Sequence, residues 1–304
     1  MFSITTDFIE YREQLHQITP IPYHCHLQRQ GTTGLSGSAP IVAIAIINGI
    51  AGGVIIALQD EVDPDVLTVI YLYIRKKYRR LGIGGDLLHF IEKKAKQTCN
   101  NKVGIIACLK RESDQKEAIS QLLIKKGWTD LNHQKSQYYI NETTIGKEEW
   151  FNQELPEGYT LLPWKDLPIE ERVYLEKNKV KFEEADQKKK YNYMDPFDLD
   201  NYEPLTSYYI REEKSGHIAG WNLTVKMSDD ILIFRKIYIM PHLRNKGLLY
   251  PLLACSIRLS FKTCKEACFQ VQAINKKMKM GIEILMGHLC YKILDIYVSS
   301  KELQ

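Results

Sequence analysis

The sequence is short of almost every residue pattern that marks a metal or nucleophile enzyme. Its eight histidines are spread over 304 residues without one H-x-x-x-H pair, and no C-x-x-C step occurs, so no metal is expected. His24-Cys25-His26 has ligand-type residues, but alternate positions without a second pair read as structural. No serine elbow is present. No Gly-Lys-Ser/Thr step supplies a Walker loop, and the dinucleotide fingerprint fails because its third glycine would fall on Leu87. Seven cysteines, an odd number without regular spacing, make no disulfide framework and read as reduced thiols of a cytoplasmic protein. The formal charge of +4 is too mild to argue for nucleic acid. No basic-then-apolar leader opens the chain. Charge is missing altogether from Gln30 to Gln59, and Ile41–Leu58 alone is nearly long enough to span a bilayer. Asn48-Gly49 between two β-branched runs instead predicts a hairpin, and Gly52 and Gly53 weaken any helix there, so no membrane span is expected.

What the chain does have is concentrated between Leu67 and Lys96. Leu67–Ile74 is β-branched and aromatic, which predicts a buried strand. From Leu87 the apolar residues Leu87, Leu88, Ile91 and Ala95 recur on one helical face. Between them lies Arg79-Arg80-Leu81-Gly82-Ile83-Gly84-Gly85. A strand that bends through glycines into a helix leaves backbone N–H groups unpaired and facing outward, with the helix dipole behind them. Such a turn suits an anion, and the missing Cβ atoms let a phosphate reach the backbone.

The pattern Arg79-x-x-Gly82-x-Gly84 after a strand resembles the pyrophosphate-binding signature of the GNAT superfamily of acyl-CoA-dependent N-acyltransferases. The resemblance implies that the strand end, Leu72, Tyr73 and Ile74, binds the pantetheine arm, and that Arg79, Arg80, Leu81, Gly82, Ile83, Gly84 and Gly85 hold the pyrophosphate. It implies acyl-CoA (acetyl-CoA or a longer-chain form) as the cofactor and an amine-bearing small molecule or peptide as the acceptor.

The rest of the chain fits that frame. A strand at Met1–Ile4, a helix at Phe8–Gln17, the hairpin, the strand–turn–helix, a strand at Lys102–Leu109, a helix at Gln115–Lys126 and a strand at Gln137–Asn141 are predicted in that order. Lys126-Gly127-Trp128 is similar to the Lys-x-Gly-Phe ending of the family's fourth helix. The polar stretch Asn141–Gly158 marks a boundary, after which the pattern restarts. It ends with strands at Ile231–Ile239, Cys268–Val271 and Tyr291–Val298, and helices at Lys246–Phe261 and Lys276–Met286. Arg244-x-x-Gly247-x-Leu249 repeats the first motif except at its last glycine, so this is an internal repeat in order and spacing. Asn275 resembles the Asn that opens the family's fourth helix. The expected fold class is α/β: two GNAT-like lobes, 1–145 and 158–304, each a mixed, largely antiparallel sheet flanked by helices. The first lobe is expected to bind the thioester, and the second to lie on the acceptor side.

The chemistry is thinner. Transfer from a thioester to an amine needs a proton acceptor and donors at the developing oxyanion. Relatives often carry a Glu before the turn and a Tyr late in the fourth helix. Period-two alternation phased by the resemblance turns Thr68, Ile70 and Leu72 toward the cleft, and the Tyr place is Leu123. Both usual groups are therefore missing from the first lobe. The catalytic candidates that remain are Glu61 (in the Asp60-Glu61-Asp63 cluster), Tyr139 beside Tyr138, Arg235 and Glu283. An apolar cleft of Ile70 and Leu72 suits a longer acyl chain, since each buried CH₂ contributes about 0.8 kcal/mol. Some two-lobed relatives place a fatty acyl group on a basic, Lys- or Orn-type side chain of a peptide. Acidic and aromatic residues of Phe182–Tyr202 would attract such a cation, or form an ordinary solvated loop. Two functions follow: an N-acyltransferase, or a CoA-occupied scaffold that recognises a peptide without turnover.

Overall fold

A computed structural model describes residues 2–20, 27, 40–60, 63–98, 102–111, 113–145, 148–188, 195–197, 199 and 201–303. In chain order the first elements are β1 (Ser3–Thr5), α1 (Arg12–His16), β2 (Ile41–Ile47), β3 (Ile50–Gln59), β4 (Val66–Ile74), α2 (Ile83–Gln97), β5 (Lys102–Lys110) and α3 (Gln115–Lys125). There follow β6 (Asn132–Asn141), α4 (Glu142–Ile145), β7 (Tyr159–Pro163), α5 (Ile169–Lys188), β8 (Tyr208–Glu212) and β9 (Ile218–Ser228). The chain closes with β10 (Ile231–Ile239), α6 (Leu249–Ser260), β11 (Glu266–Gln272), α7 (Lys276–Met286) and β12 (Lys292–Glu302).

The elements form two compact units: Met1–Gln134 with Asp295–Gln304, and Lys135–Leu294. The expected lobes end at 145 and 304, with a strand at Gln137–Asn141 finishing the first. In the structure that strand, Lys135 to Asn141 of β6, pairs antiparallel with β11 inside the second unit. The last strand of the first unit comes instead from the far end of the sequence. Asp295–Glu302 of β12 lies next to β5. Each unit is a mixed, largely antiparallel sheet with helices. The first has strand order β1-β2-β3-β4-β5-β12, the second β6-β11-β10-β9-β8-β7.

In the first unit, residues 41–59 of the uncharged stretch form the hairpin that Asn-Gly predicts. Asn48 and Gly49 both have positive φ, +49° and +76°, the conformation a two-residue hairpin turn requires. Among the described residues, no helix is long and apolar enough to cross a membrane. The core on the helix side of this sheet joins Leu67 and Val69 of β4 to Leu87, Leu88 and Ile91 of α2 and to Leu123 of α3. The returning strand is tied in by polar contacts. Lys301 Nζ donates to Glu92 Oε2 at 3.0 Å and to the Lys126 carbonyl at 2.8 Å. Trp128 Nε1 reaches Glu92 Oε1 at 2.8 Å. Arg111 grips Asp295 with two hydrogen bonds of 2.9 and 3.0 Å.

In the second unit, α6 and α7 pack on Leu232, Phe234 and Phe269 of the sheet. A second core gathers Trp164, Tyr209, Trp221 and Tyr238 with Leu175 of α5. Asn275 caps α7 by accepting a 3.1 Å hydrogen bond from the Met278 N–H, so its side chain serves one of the otherwise unpaired amides of the first turn.

Candidate active site

The site is built on β4 and what it does after Val69. Strands β4 and β5 pair in parallel only from Val66–Lys102 to Val69–Ile105; beyond that they share no register. At the same point the pairing of β4 with β3 skips a residue: Ile56 faces Tyr71 and Ala57 faces Val69, leaving Ile70 as a bulge. A bulge re-aims every side chain after it. Leu67, Val69, Leu72 and Ile74 pack toward the helix-side core, whereas Ile70, Tyr71 and Tyr73 pack on the opposite face. The expected cleft row of Thr68, Ile70 and Leu72 is therefore broken. Leu72 turns to the helix side, and tyrosines take its place on the other.

Backbone groups divide the same way. The Arg75 N–H donates to the Gly52 carbonyl at 2.9 Å, and antiparallel alternation makes Tyr73 the next residue back with its backbone paired to β3. Leu72 and Ile74 thus turn their N–H and C=O groups to the opening where β5 has departed, and of the three strand-end residues only Tyr73 has its backbone paired to β3. The Ile74 carbonyl accepts Arg79 Nε at 3.1 Å, so the motif arginine locks the turn to the strand. Arg80 then takes a positive φ of 68° and Gly82 one of 83°, and Gly82 caps α2. A Cβ on Gly84 would make only ordinary contact, 3.4 Å from Leu122 Cδ2, whereas one on Gly85 would stand 2.6 Å from Lys126 Cε. The first-turn amides of Ile83, Gly84 and Gly85 have no partner inside the helix. This stretch fits a diphosphate: bare backbone, a helix N-terminus and an extended strand edge leading away from it.

On the face opposite α2, β4 presents Thr68, Ile70, Tyr71 and Tyr73, and the exposed Ile106, Cys108 and Lys110 alternate along β5. Thr68 Oγ1 donates to Asp60 Oδ2 at 3.4 Å and Tyr71 Oη to the Ile18 carbonyl at 2.5 Å. The Tyr71 and Tyr73 rings stack with centroids 6.5 Å apart, and the Tyr73 hydroxyl has no hydrogen-bond partner among the described residues. Sequence alternation did not place Tyr71 and Tyr73 on this face, because nothing local marks the bulge that turns them. Glu61 lies outside the described residues, as does His24-Cys25-His26. Among the described residues no cluster of three His, Cys, Asp or Glu could hold a metal.

The second unit repeats the construction with altered contents. Parallel pairing of β10 with β11 stops at Phe234–Phe269, Arg235 is the bulge, and Arg244 Nε donates to the Ile239 carbonyl at 3.1 Å. Gly247 has a positive φ of 73°. Where the first unit then has Gly84, Gly85 and Asp86, the second has Leu249, Tyr250 and Pro251. Two side chains and a residue without N–H replace the open backbone. Across the parting strands, Arg235 Nη1 donates to Gln270 Oε1 at 2.9 Å; the matching residues of the first unit, Ile70 and Ile106, form no such bridge. The other candidates are also engaged. Glu283 accepts the Tyr138 hydroxyl at 2.9 Å. Tyr139 is buried, donates to Gln137 and carries Lys292 Nζ 3.9 Å above its ring. Beside them Cys268 is a buried thiol pushed up to about 12, chiefly by desolvation, and so is not a nucleophile at neutral pH. Tyr139, Arg235 and Glu283 all belong to the second unit.

Residues 3–119 match the model of the Acetyltransferase (GNAT) family. No curated protein matches the sequence. Among solved structures, a tandem GNAT protein from the clavulanic acid biosynthesis pathway superposes with a TM-score of 0.60 at 13% identity, over 100% of this chain and 99% of that one. A GCN5-related N-acetyltransferase from Sphaerobacter thermophilus superposes with a TM-score of 0.58 at 14% identity, over 100% and 96%. The first unit thus matches the GNAT family in sequence over residues 3–119, and the whole chain has a fold similar to that of tandem GNAT proteins.

Proposed function

We propose that the first unit is an acyl-CoA-dependent N-acyltransferase, with a primary amine as acceptor, and that the second unit does not carry the thioester. The observation that carries this reading is the parting of β4 and β5 directly above a bare glycine turn. An extended arm laid along Leu72 and Ile74 ends its diphosphate on the first-turn amides of α2. Its thioester then lies beside the Ile70 bulge, where outward backbone N–H groups stabilise negative charge on the carbonyl oxygen. The helix side of β4 is filled by packed core, so the amine comes from the face of Tyr71 and Tyr73. Its nitrogen bonds to the carbonyl carbon, the carbon–sulfur bond breaks, and the amine proton leaves through solvent. Tyr73 is the candidate proton donor to the departing sulfur, being the hydroxyl on that face left without a partner among the described residues. Replacing it by Phe is expected to lower kcat by about tenfold with KM for acetyl-CoA unchanged, whereas Tyr71→Phe is expected to act on stability. An equal fall of both parameters in Tyr73→Phe rules the role out.

Acyl groups from acetyl upward, a Lys- or Orn-type peptide side chain as acceptor and a cytoplasmic setting belong to the same proposal. The apolar Ile70 and Ile106 beside the opening support the longer chains. The test is thiol release from acetyl-CoA and palmitoyl-CoA in the presence of polyamines and lysine peptides, with mass spectrometry of the acceptors. One observation favours the scaffold alternative: neither β4 nor β5 carries a carboxylate or imidazole of its own on the amine-facing side, and the Asp60 carboxylate there is engaged by the Thr68 hydroxyl. Tight CoA binding without thiol release from any acceptor would decide for it.

A further inference from the structure

In the first unit, the helix turn that ends the proposed arm is not bare on every side. Lys126, just past α3, crosses the first turn of α2 at Gly85. Its Cε and Nζ lie 2.6 and 3.1 Å from where a Cβ of that residue would be. Lys126 is half-buried, and its ammonium pairs with no carboxylate among the described residues. Asp86, the one acid in that turn, is exposed and forms no ion pair with it. A half-buried cation is thus laid against the positive end of a helix dipole, a repulsion that an anion placed between them would relieve.

The second unit supplies an internal control. At the place of Gly85 it has Tyr250, and at the place of Lys126, one residue before the equivalent glycine Gly287, it has Met286. Met286 is buried and belongs to the same apolar group as Tyr250. Glycine and lysine are exchanged together for an aromatic and a methionine, as expected if the glycine is there to let the lysine pass. We infer that Lys126 is a ligand of the donor's pyrophosphate, reaching it through the gap that Gly85 leaves. The inference rests on the first unit binding CoA, and it adds a contact from outside the glycine motif.

Binding of acetyl-CoA, acetyl-dephospho-CoA and acetyl-pantetheine by calorimetry tests it. Lys126→Gln is expected to weaken both nucleotide-bearing ligands roughly ten- to hundredfold, the range for a lost charge-assisted hydrogen bond. It is also expected to flatten their salt dependence and to leave acetyl-pantetheine unaffected; Lys126→Arg should restore part of the loss. Gly85→Ala, which pushes the lysine aside, should lose a similar factor, and the double variant should be no worse than either single. Undiminished affinity in Lys126→Gln overturns the assignment, and so does a loss confined to acetyl-CoA, which would place the lysine on the 3′-phosphate. Failure of the unaltered chain to bind acetyl-CoA overturns the proposed function as well, which sets that outcome apart.

Discussion

Gly84→Leu is expected to abolish measurable coenzyme binding and leave the fold intact. The substitution gives the first unit the residue that the second has at Leu249. Gly84 has ordinary helical backbone and enough room for a Cβ, with Leu122 Cδ2 3.4 Å away, so alanine should be tolerated and bind nearly as well as glycine. A branched side chain instead fills the space in front of the first-turn amides. Several N–H groups are then barred from hydrogen bonding a charged ligand, each such bond being worth about 1.5–3 kcal/mol, so a fall of more than about a hundredfold in acetyl-CoA affinity is expected. Calorimetry measures it, and a thermal midpoint within a few degrees of the parent shows that the unit still folds. Unchanged affinity in a folded Gly84→Leu protein would remove the turn from the site.

Lys301→Met is expected to destabilise the first unit by about 2–3 kcal/mol, somewhat below the range for breaking a buried ion pair because the lysine is 25% exposed. The reason is Glu92, whose side chain is only 11% exposed and would be left with the Trp128 indole and the more exposed His89 as partners. Hydrogen exchange along β5 should report the loss in the first unit, with the amides of β9 and β10 unaffected. Adding Glu92→Gln should return much of the stability, since the neutral amide no longer needs a cation while its oxygen still accepts from Trp128. A double variant as unstable as the single would mean that the lysine acts through packing alone.

The parts of this structure legible in the sequence are those set by neighbours along the chain. The β-branched run before Arg79 and the glycines after it specify strand, turn and helix within about thirty residues. Asn48-Gly49 specifies its hairpin in two. The repeat is readable for the same reason: Arg244 does for its turn what Arg79 does for the first. What depends on partners far away is not. Nothing in Thr68–Leu72 announces that Ile70 will be skipped, because a bulge is a property of two strands, and its consequence is to exchange Leu72 for tyrosines on the face opposite α2. Likewise β6 and β12 are both amphipathic strands of similar length, and only pairing across the sequence decides which sheet each completes. The Arg235–Gln270 and Tyr138–Glu283 bonds join residues 35 and 145 positions apart. They tie Arg235 and Glu283, two candidate catalytic groups, to partners within the second unit.

The strand Asp295–Glu302 gives the chain a particular order of assembly. Most multidomain chains settle from the front as they emerge from the ribosome. Here β5 stays without its outer neighbour while all of Lys135–Leu294 is synthesised, which takes on the order of ten seconds or more, and only then does the closing segment arrive. The nascent front half carries a bare hydrogen-bonding edge throughout that wait, a template for other unfinished copies. Expression yield should therefore respond to chaperone supply and growth temperature more sharply than the stability of the finished molecule would suggest.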